Sequence, residues 1–203
     1  MSPTAPDSAS RPPSPTILQR AARATLAALG WRVEVTWPPE PRCIIIVYPH
    51  TSNWDFGIGY LAKLAIGLPV SWIGKDTLFR WPVAGVLRRM GGLPVNRRES
   101  TGLVGQLARE LEQHQRFWLA IAPEGTRAHQ DHLKSGFYQL ALATGVPVGL
   151  AFIDYRERVV GLERYVRMTG DADADLAALR AAYSSKRGKH ADQASDIRFR
   201  GRP

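Results

Sequence analysis

The chain has 203 residues, enough for one domain whose hydrophobic core needs neither disulfides nor a structural metal. Its single cysteine, Cys43, excludes an internal disulfide and a cysteine metal cluster, and is typical of a protein from a reducing cytosol. With 27 Lys and Arg against 18 Asp and Glu, the formal net charge of +9 favours anionic partners, which include nucleic acid, anionic lipid headgroups and phosphorylated substrates.

Neither a secretory signal nor a membrane-spanning helix is predicted. Residues 1–15 are polar and rich in Pro and Ser, so we expect a disordered segment there rather than a signal peptide. A spanning helix needs roughly 18 uninterrupted apolar residues. The nearest candidate, residues 58–74, is broken by Lys63, Gly67 and Pro69. We therefore expect any membrane attachment to be peripheral.

The first predicted element is a helix over residues 17–29. Apolar side chains recur there near helical spacing, Arg20 and Arg23 stand among them, and Gly30 ends the pattern. Two interpretations are open. The helix could cover the hydrophobic core, or it could rest on a membrane surface as a basic amphipathic helix.

Strands and helices alternate along most of the remaining chain. Strand-like apolar runs lie at residues 31–37, 42–48, 70–74, 93–96, 116–122 and 146–154. Helical spacing occurs between them at residues 55–67, 76–90, 101–115 and 132–144. This alternation predicts an α/β layered fold, in which helices flank a largely parallel central sheet.

The end of the chain gives weaker signals. We assign no element to residues 155–168, and beyond them only residues 171–185 predict one more helix. Residues 184–203 are basic, and we expect a flexible tail. The predicted organisation is a disordered segment over residues 1–15, a single domain over residues 16–183 and this tail.

His50 and Asp55 are the first candidate site. They stand in PHTSNWDFG, directly after the apolar run CIIIVY, so a turn between strand and helix could fold His50 back over the first helical turn. Asp55 would then bind one imidazole nitrogen and leave the other free to take a proton from a substrate hydroxyl. A structural alternative remains, because Ser52 and Asp55 also have the spacing of a helix capping box.

Other catalytic chemistries lack support in the sequence. The remaining histidines have no metal-ligand spacing, and the chain contains no G-x-S-x-G motif of serine hydrolases. A His/Asp pair without a protein nucleophile suits activation of a substrate hydroxyl.

A second polar turn, PEGTR, follows the predicted strand at residues 116–122. Because ligands gather at the carboxyl ends of parallel strands, this turn and the His50 turn could face one crevice. Arg127 and the backbone of Gly125 and Thr126 could hold a phosphate. An ordinary surface turn is the alternative.

A third turn, GGLPVNRRES, places Arg97 and Arg98 after paired glycines and a proline. Guanidinium groups suit phosphate better than a lysine point charge does. A solvated charge pair is the alternative.

Together, these motifs resemble those of the glycerolipid acyltransferase family, which includes the lysophosphatidate (1-acylglycerol-3-phosphate) acyltransferases. His50 and Asp55 match its H-x-x-x-x-D motif, and residues 74–97 resemble the segment that leads into its arginine motif. PEGTR at residues 123–127 matches the third motif, and VPV at residues 146–148 matches the fourth. The four blocks occur in the family's order over more than half of the chain.

The resemblance implies acyl transfer without a covalent acyl-enzyme. His50 would be the general base that deprotonates a hydroxyl of a glycerol-type acceptor, and Asp55 would orient it. The hydroxyl would attack an acyl thioester on coenzyme A or acyl carrier protein. The residues implied to organise the acceptor's phosphate end are Arg97, Glu124, Gly125, Thr126 and Arg127. No metal or other cofactor is implied.

The implied substrates carry acyl chains that reside in membranes, so we expect a cytoplasmic protein bound peripherally to an anionic membrane surface. Two rival hypotheses remain. The same dyad could activate water and hydrolyse a thioester or phosphoester. The basic charge could instead serve a non-catalytic binder of nucleic acid or another anionic surface. We expect no nucleic acid partner, because the chain has no recognised nucleic-acid-binding motif.

Overall fold

Seven strands form one sheet in this computed structural model, which describes residues 15–96 and 102–201. In chain order they are β1 (Arg32–Val35), β2 (Arg42–Val47), β3 (Val70–Lys75), β4 (Gly92–Val95), β5 (Phe117–Ile121), β6 (Val148–Asp154) and β7 (Val159–Val166). Their spatial order is β1-β7-β6-β2-β5-β3-β4, and every neighbouring pair is parallel except β6 and β7. The α/β fold with a largely parallel sheet is confirmed.

The described residues also form six α-helices. They are α1 (Ile17–Ala28), α2 (Trp54–Ile66), α3 (Ala84–Arg89), α4 (Leu103–Gln113), α5 (Gly136–Thr144) and α6 (Ala172–Tyr183). Side chains of α1 and α2 pack in one core cluster, and those of α4, α5 and α6 pack in another. In β2, Ile44 and Ile46 belong to the α4–α6 cluster, whereas Cys43 and Ile45 lie in a third cluster with Ile66 of α2. Burial on both faces explains the continuous apolar run of β2.

Helix α1 covers the core, as the first of its two interpretations expects. Ala22 and Leu26 are buried in the cluster shared with α2, and Arg23 Nε donates a 3.1 Å hydrogen bond to the Ala65 carbonyl. Thr16 begins the helix with a capping box, which satisfies amides of the first turn. Across residues 15–96 and 102–201, no helix combines the length and the apolar composition needed to cross a bilayer.

Strand β7 lies in a region to which the sequence assigns no element. It pairs antiparallel with β6 and parallel with β1, so it joins β1 to the rest of the sheet. The turn before it is charged, contains neither Gly nor Pro, and gives Arg158 a φ of 50°. Because glycine usually supplies positive φ in turns, the ordinary hairpin signal is missing. Residues 159–162 are buried in succession, so the alternating pattern of a strand is missing too.

The helix predicted for residues 76–90 is wrong over most of its length. A short 3₁₀ turn, Asp76–Leu78, is followed by a loop, and the only α-helix of this segment is α3. Pro82 explains the break, because proline has no amide hydrogen and disfavours helical backbone in the residue before it.

Residues 184–201 pack against the domain, whereas the sequence predicts a flexible tail there. Phe199 is buried beside Tyr138, and the Ser195 carbonyl accepts a 2.6 Å hydrogen bond from the Tyr48 hydroxyl. Composition predicts the basic exterior of this segment, but it does not reveal the few side chains and backbone groups that anchor it.

Candidate active site

The turn between β2 and α2 brings His50 onto Asp55. Strand β2 ends at Val47 and α2 begins at Trp54, so the intervening residues can fold back over the first helical turn. The distance from His50 Nδ1 to Asp55 Oδ2 is 3.1 Å. The imidazole is partly exposed, whereas the carboxylate is buried.

Four hydrogen-bond donors surround the Asp55 carboxylate. Oδ2 accepts from the backbone amides of Thr51 and Ser52 at 2.8 and 2.9 Å, in addition to His50 Nδ1. Oδ1 accepts from the Tyr155 hydroxyl at 2.7 Å. The N-cap residue of α2 is Asn53, without a side-chain cap bond, so Ser52 and Asp55 do not form the capping box that their spacing allows. Asp55 still has a structural role beside its contact with the histidine, because it binds the amides of the turn before the helix.

The surroundings of Asp55 keep it ionised. Burial is the largest influence on its pKa and acts to raise it. The hydrogen bonds from His50, Tyr155 and the Ser52 amide outweigh burial, so the pKa of Asp55 is lowered from its ordinary value. An ionised Asp55 favours the His50 tautomer with the proton on Nδ1. Nε2 is then the nitrogen that can accept a proton from a substrate.

Glu124 lies behind His50, with 1% of its surface exposed. Its Oε2 accepts a 2.7 Å hydrogen bond from the His50 amide, and its Oε1 accepts a 3.4 Å bond from the Ser195 amide. Burial, with a smaller contribution from the charge of Asp55, raises the pKa of Glu124 to about 8. Glu124 therefore supports the backbone at His50, whereas the resemblance implies contact with the acceptor's phosphate.

A cleft of about 560 Å³ opens beside His50 and is lined by Gly125, Thr126 and Arg127. Lys75, at the end of β3, adds a second cationic side chain to this lining. Gly125 has a φ of 70°, a conformation that favours glycine and shapes the turn. The cleft thus combines a histidine with two cations, an arrangement suited to a substrate that carries both a hydroxyl and a phosphate.

An apolar cavity of about 180 Å³ adjoins the cleft at His50. Both His50 and Asp55 line it, together with apolar side chains that include Phe56, Trp72 and Ile153. Lys63 also lines it and donates a 2.6 Å hydrogen bond from Nζ to the Met90 carbonyl. Burial lowers the pKa of Lys63. The cavity can hold a short length of alkyl chain next to His50.

The structure thus brings four of the sequence-predicted site residues to one cleft: His50, Gly125, Thr126 and Arg127. Asp55 contacts His50 from the adjoining apolar cavity. Glu124 is close to His50 but buried behind it. Arg97, with its neighbour Arg98, lies outside the described residues.

Tyr155 and Lys75 are site residues that sequence reasoning missed. Each stands at or just after the carboxyl end of a parallel strand, β6 for Tyr155 and β3 for Lys75. That edge also carries His50 and the PEGTR turn, so the position of polar residues after strands could have identified both. Ser195 gave no such signal, because it lies in a segment without regular secondary structure.

Known proteins resemble the chain in sequence and in structure. A protein-family model described as Acyltransferase matches residues 34–149, more than half of the chain. The fold matches the crystal structure of the 1-acyl-sn-glycerophosphate (LPA) acyltransferase PlsC from Thermotoga maritima, with a TM-score of 0.55 and 20% sequence identity, over 81% of this chain and 74% of that one. At this identity, the likeness is evidence for the fold alone. No protein of curated function matches the sequence.

Proposed function

Because the chain belongs to the acyltransferase family, we propose that it transfers a fatty acyl group from a thioester to a hydroxyl of a glycerol-phosphate or lysophospholipid-type acceptor. The thioester would be carried by coenzyme A or by acyl carrier protein. One observation carries the proposal: His50, in contact with Asp55 at 3.1 Å, lines both a cleft with two cations and an apolar cavity. The cleft with two cations suits an acyl acceptor that carries a phosphate, and the apolar cavity suits the chain of a fatty acyl donor.

His50 acts as the general base in this proposal. The acceptor hydroxyl attacks the thioester carbonyl and gives its proton to Nε2 of His50. The tetrahedral intermediate then collapses, the carbon–sulfur bond breaks, and the departing thiolate takes the proton back from His50. An ester and a free thiol are the products, and no acyl group is attached to the protein.

Asp55 and Tyr155 position the base. Asp55 holds Nδ1 of His50, and its negative charge stabilises the imidazolium that forms while the proton resides on the ring. Tyr155 binds the other carboxylate oxygen and limits its rotation. This division of roles requires neither a metal nor an organic cofactor.

Arg127 and Lys75 would bind the acceptor's phosphate. Both line the cleft with His50, and Gly125 and Thr126 line it beside them. A role for Arg97 in the same task remains part of the proposal, on the strength of the motif resemblance.

We also propose that the protein works as a peripheral protein on the cytoplasmic face of an anionic membrane. Its formal charge of +9 supports attraction to anionic headgroups, and its proposed substrates carry chains that reside in bilayers.

Product analysis tests the proposed function. Purified protein is incubated with labelled acyl-CoA or acyl carrier protein thioester and with one acceptor at a time, and the products are identified by mass. The acceptors are glycerol 3-phosphate, lysophosphatidate and other lysophospholipids. We expect a new ester, and the acceptor that yields it is identified as the acceptor substrate. Free fatty acid alone would favour the rival hydrolase, and an unchanged thioester with every acceptor would contradict both activities.

A further inference from the structure

An exposed apolar surface lies beside the catalytic cleft. We name residues 78–86 the docking segment. Trp81 is 92% exposed, and Leu78, Val83 and Val86 are each at least half exposed. An indole this exposed leaves a large apolar area that the described residues do not cover.

The docking segment belongs to the edge of the sheet that carries the site. It follows the carboxyl end of β3, and β3 runs parallel to β5, whose own end leads into the PEGTR turn. Leu78 and the adjacent Leu87 line the cleft together with His50 and Arg127. A surface that binds the docking segment therefore meets the mouth of the cleft.

Cationic side chains accompany the apolar ones. Arg80 lies within the docking segment, Arg88 and Arg89 follow it on α3, and all three are exposed. The Arg88 guanidinium stands over the Phe79 ring at 5.9 Å. Apolar residues with a tryptophan among flanking arginines match a bilayer interface, where the indole sits at headgroup level and the guanidinium groups reach anionic phosphates.

The helix α1 is less suited to presenting the site to a membrane. Its exposed apolar tip, Ile17 and Leu18, is next to Gln19, which bonds to the Ile66 carbonyl at the carboxyl end of α2. His50 precedes the opposite end of α2. Because α2 has 13 residues at about 1.5 Å each, the tip of α1 is roughly 20 Å from the dyad along that helix.

We infer that the docking segment inserts into the headgroup region of an anionic bilayer and holds the catalytic cleft open to the membrane. The inference rests on the proposed function for its purpose, since acyl chains and lysophospholipids would then enter the cleft from the bilayer. The binding itself needs no catalysis and is measured separately.

Vesicle sedimentation tests the inference. The wild-type protein is mixed at low salt with phosphatidylcholine vesicles that contain or lack phosphatidylglycerol. The test variant is Trp81→Ser with Val86→Ser. Two matched controls lose exposed apolar side chains elsewhere: Ile17→Ser with Leu18→Ser on α1, and Leu142→Ser on α5. We expect the wild type and both controls to bind anionic vesicles, and the test variant to bind at least roughly tenfold more weakly.

Other results would overturn the inference. Unchanged vesicle binding by the Trp81/Val86 variant, or a loss seen only in the α1 variant, would place the membrane contact elsewhere. Loss of binding to acidic acyl carrier protein with intact vesicle binding would assign the docking segment to a protein partner.

A second readout separates this inference from the proposed function. Activity on short-chain, soluble substrates without vesicles should be the same for the wild type and the Trp81/Val86 variant. If the wild type transfers no acyl group but the vesicle results are as expected, the proposed function is wrong and the membrane contact of the docking segment is supported. If transfer is intact and vesicle binding does not depend on Trp81, the docking inference fails alone.

Discussion

The Tyr155 hydroxyl donates a 2.7 Å hydrogen bond to Asp55 Oδ1, while His50 Nδ1 lies 3.1 Å from Oδ2 of the same carboxylate. One buried carboxylate therefore fixes a phenol and an imidazole at once. Burial, followed by the hydrogen bond and the charge of Asp55, raises the pKa of Tyr155 above its usual range. The phenol thus keeps its proton and serves as a hydrogen-bond donor to Asp55.

Removal of the Tyr155 hydroxyl should weaken the dyad without abolishing it. In Tyr155→Phe, Asp55 loses one donor, so its pKa should rise and its carboxylate should hold the His50 ring less firmly. A hydrogen bond to a charged group is worth about 1.5–3 kcal/mol, so the loss of kcat should be at most roughly 10- to 100-fold. We expect KM to change little.

Tyr165→Phe is the matched control for this substitution. The Tyr165 hydroxyl is buried and, within the described part of the chain, has no hydrogen-bond partner. Its removal should leave kcat unchanged and keep or raise the free energy of unfolding, because no bond is broken. Equal kcat values for Tyr155→Phe and the wild type would show that the phenol has no role in positioning.

His50→Ala should remove the general base. We expect kcat to fall by roughly 10²- to 10⁴-fold, the usual contribution of a positioned base. The imidazole is only partly buried, so thermal unfolding should remain close to that of the wild type. Circular dichroism and a melting curve check the fold, and a folded variant with near-normal turnover would end the mechanism proposed above.

Glu124 should make stability depend on pH. Its pKa is about 8 in the folded protein and 4.5 ordinarily, so the folded state binds more protons than the unfolded state between these values. The free energy of unfolding should therefore fall as pH rises from about 4.5 to 8. Urea unfolding at several pH values in that window measures the effect.

Glu124→Gln should flatten this pH dependence, because an amide does not titrate. Its carbonyl oxygen can still accept the bond from the His50 amide. Glu112→Gln, at an exposed position on α4, is the matched control and should retain the wild-type slope. The same slope in Glu124→Gln as in the wild type would assign the dependence to other groups.

Leu26→Ala should destabilise the domain, because Leu26 is fully buried between α1 and the core. Truncation of a buried leucine typically costs about 2–5 kcal/mol. Leu18→Ala makes the same substitution at an exposed position of α1 and should change the free energy of unfolding by less than about 0.5 kcal/mol. Chemical unfolding curves distinguish the two, and equal effects would contradict the packing of α1.

The sequence predicts the central sheet and the dyad because their signals are local. The residues of β2 form an apolar run, and His50 and Asp55 follow it within a stretch of six residues that spans the turn and the start of α2. Tyr155 is a different case, since its partner Asp55 is 100 residues away along the chain. Only the topology, which places β6 next to β2, brings these two side chains together.

The other differences have separate causes, two of them local and one a contact at long range. Arg158 takes a backbone conformation that glycine usually supplies, so the β6–β7 hairpin carries no sequence signal. Residues 76–90 have apolar side chains at helical spacing, but Pro82 prevents a continuous helix. The anchoring of residues 184–201 depends on single contacts such as Tyr48 to Ser195, which no periodic pattern records.

The position of Ser195 has a consequence for biosynthesis. Its amide binds Glu124, and Glu124 in turn binds the His50 amide, so the turn that contains His50 is supported by a residue that is translated long after it. Strand β1 likewise joins the sheet through β7, which also follows it at a distance in the chain. A nascent chain that has not yet been synthesised as far as Ser195 lacks the first connection. The turn that contains His50 should therefore reach its final geometry only after Ser195 has left the ribosome.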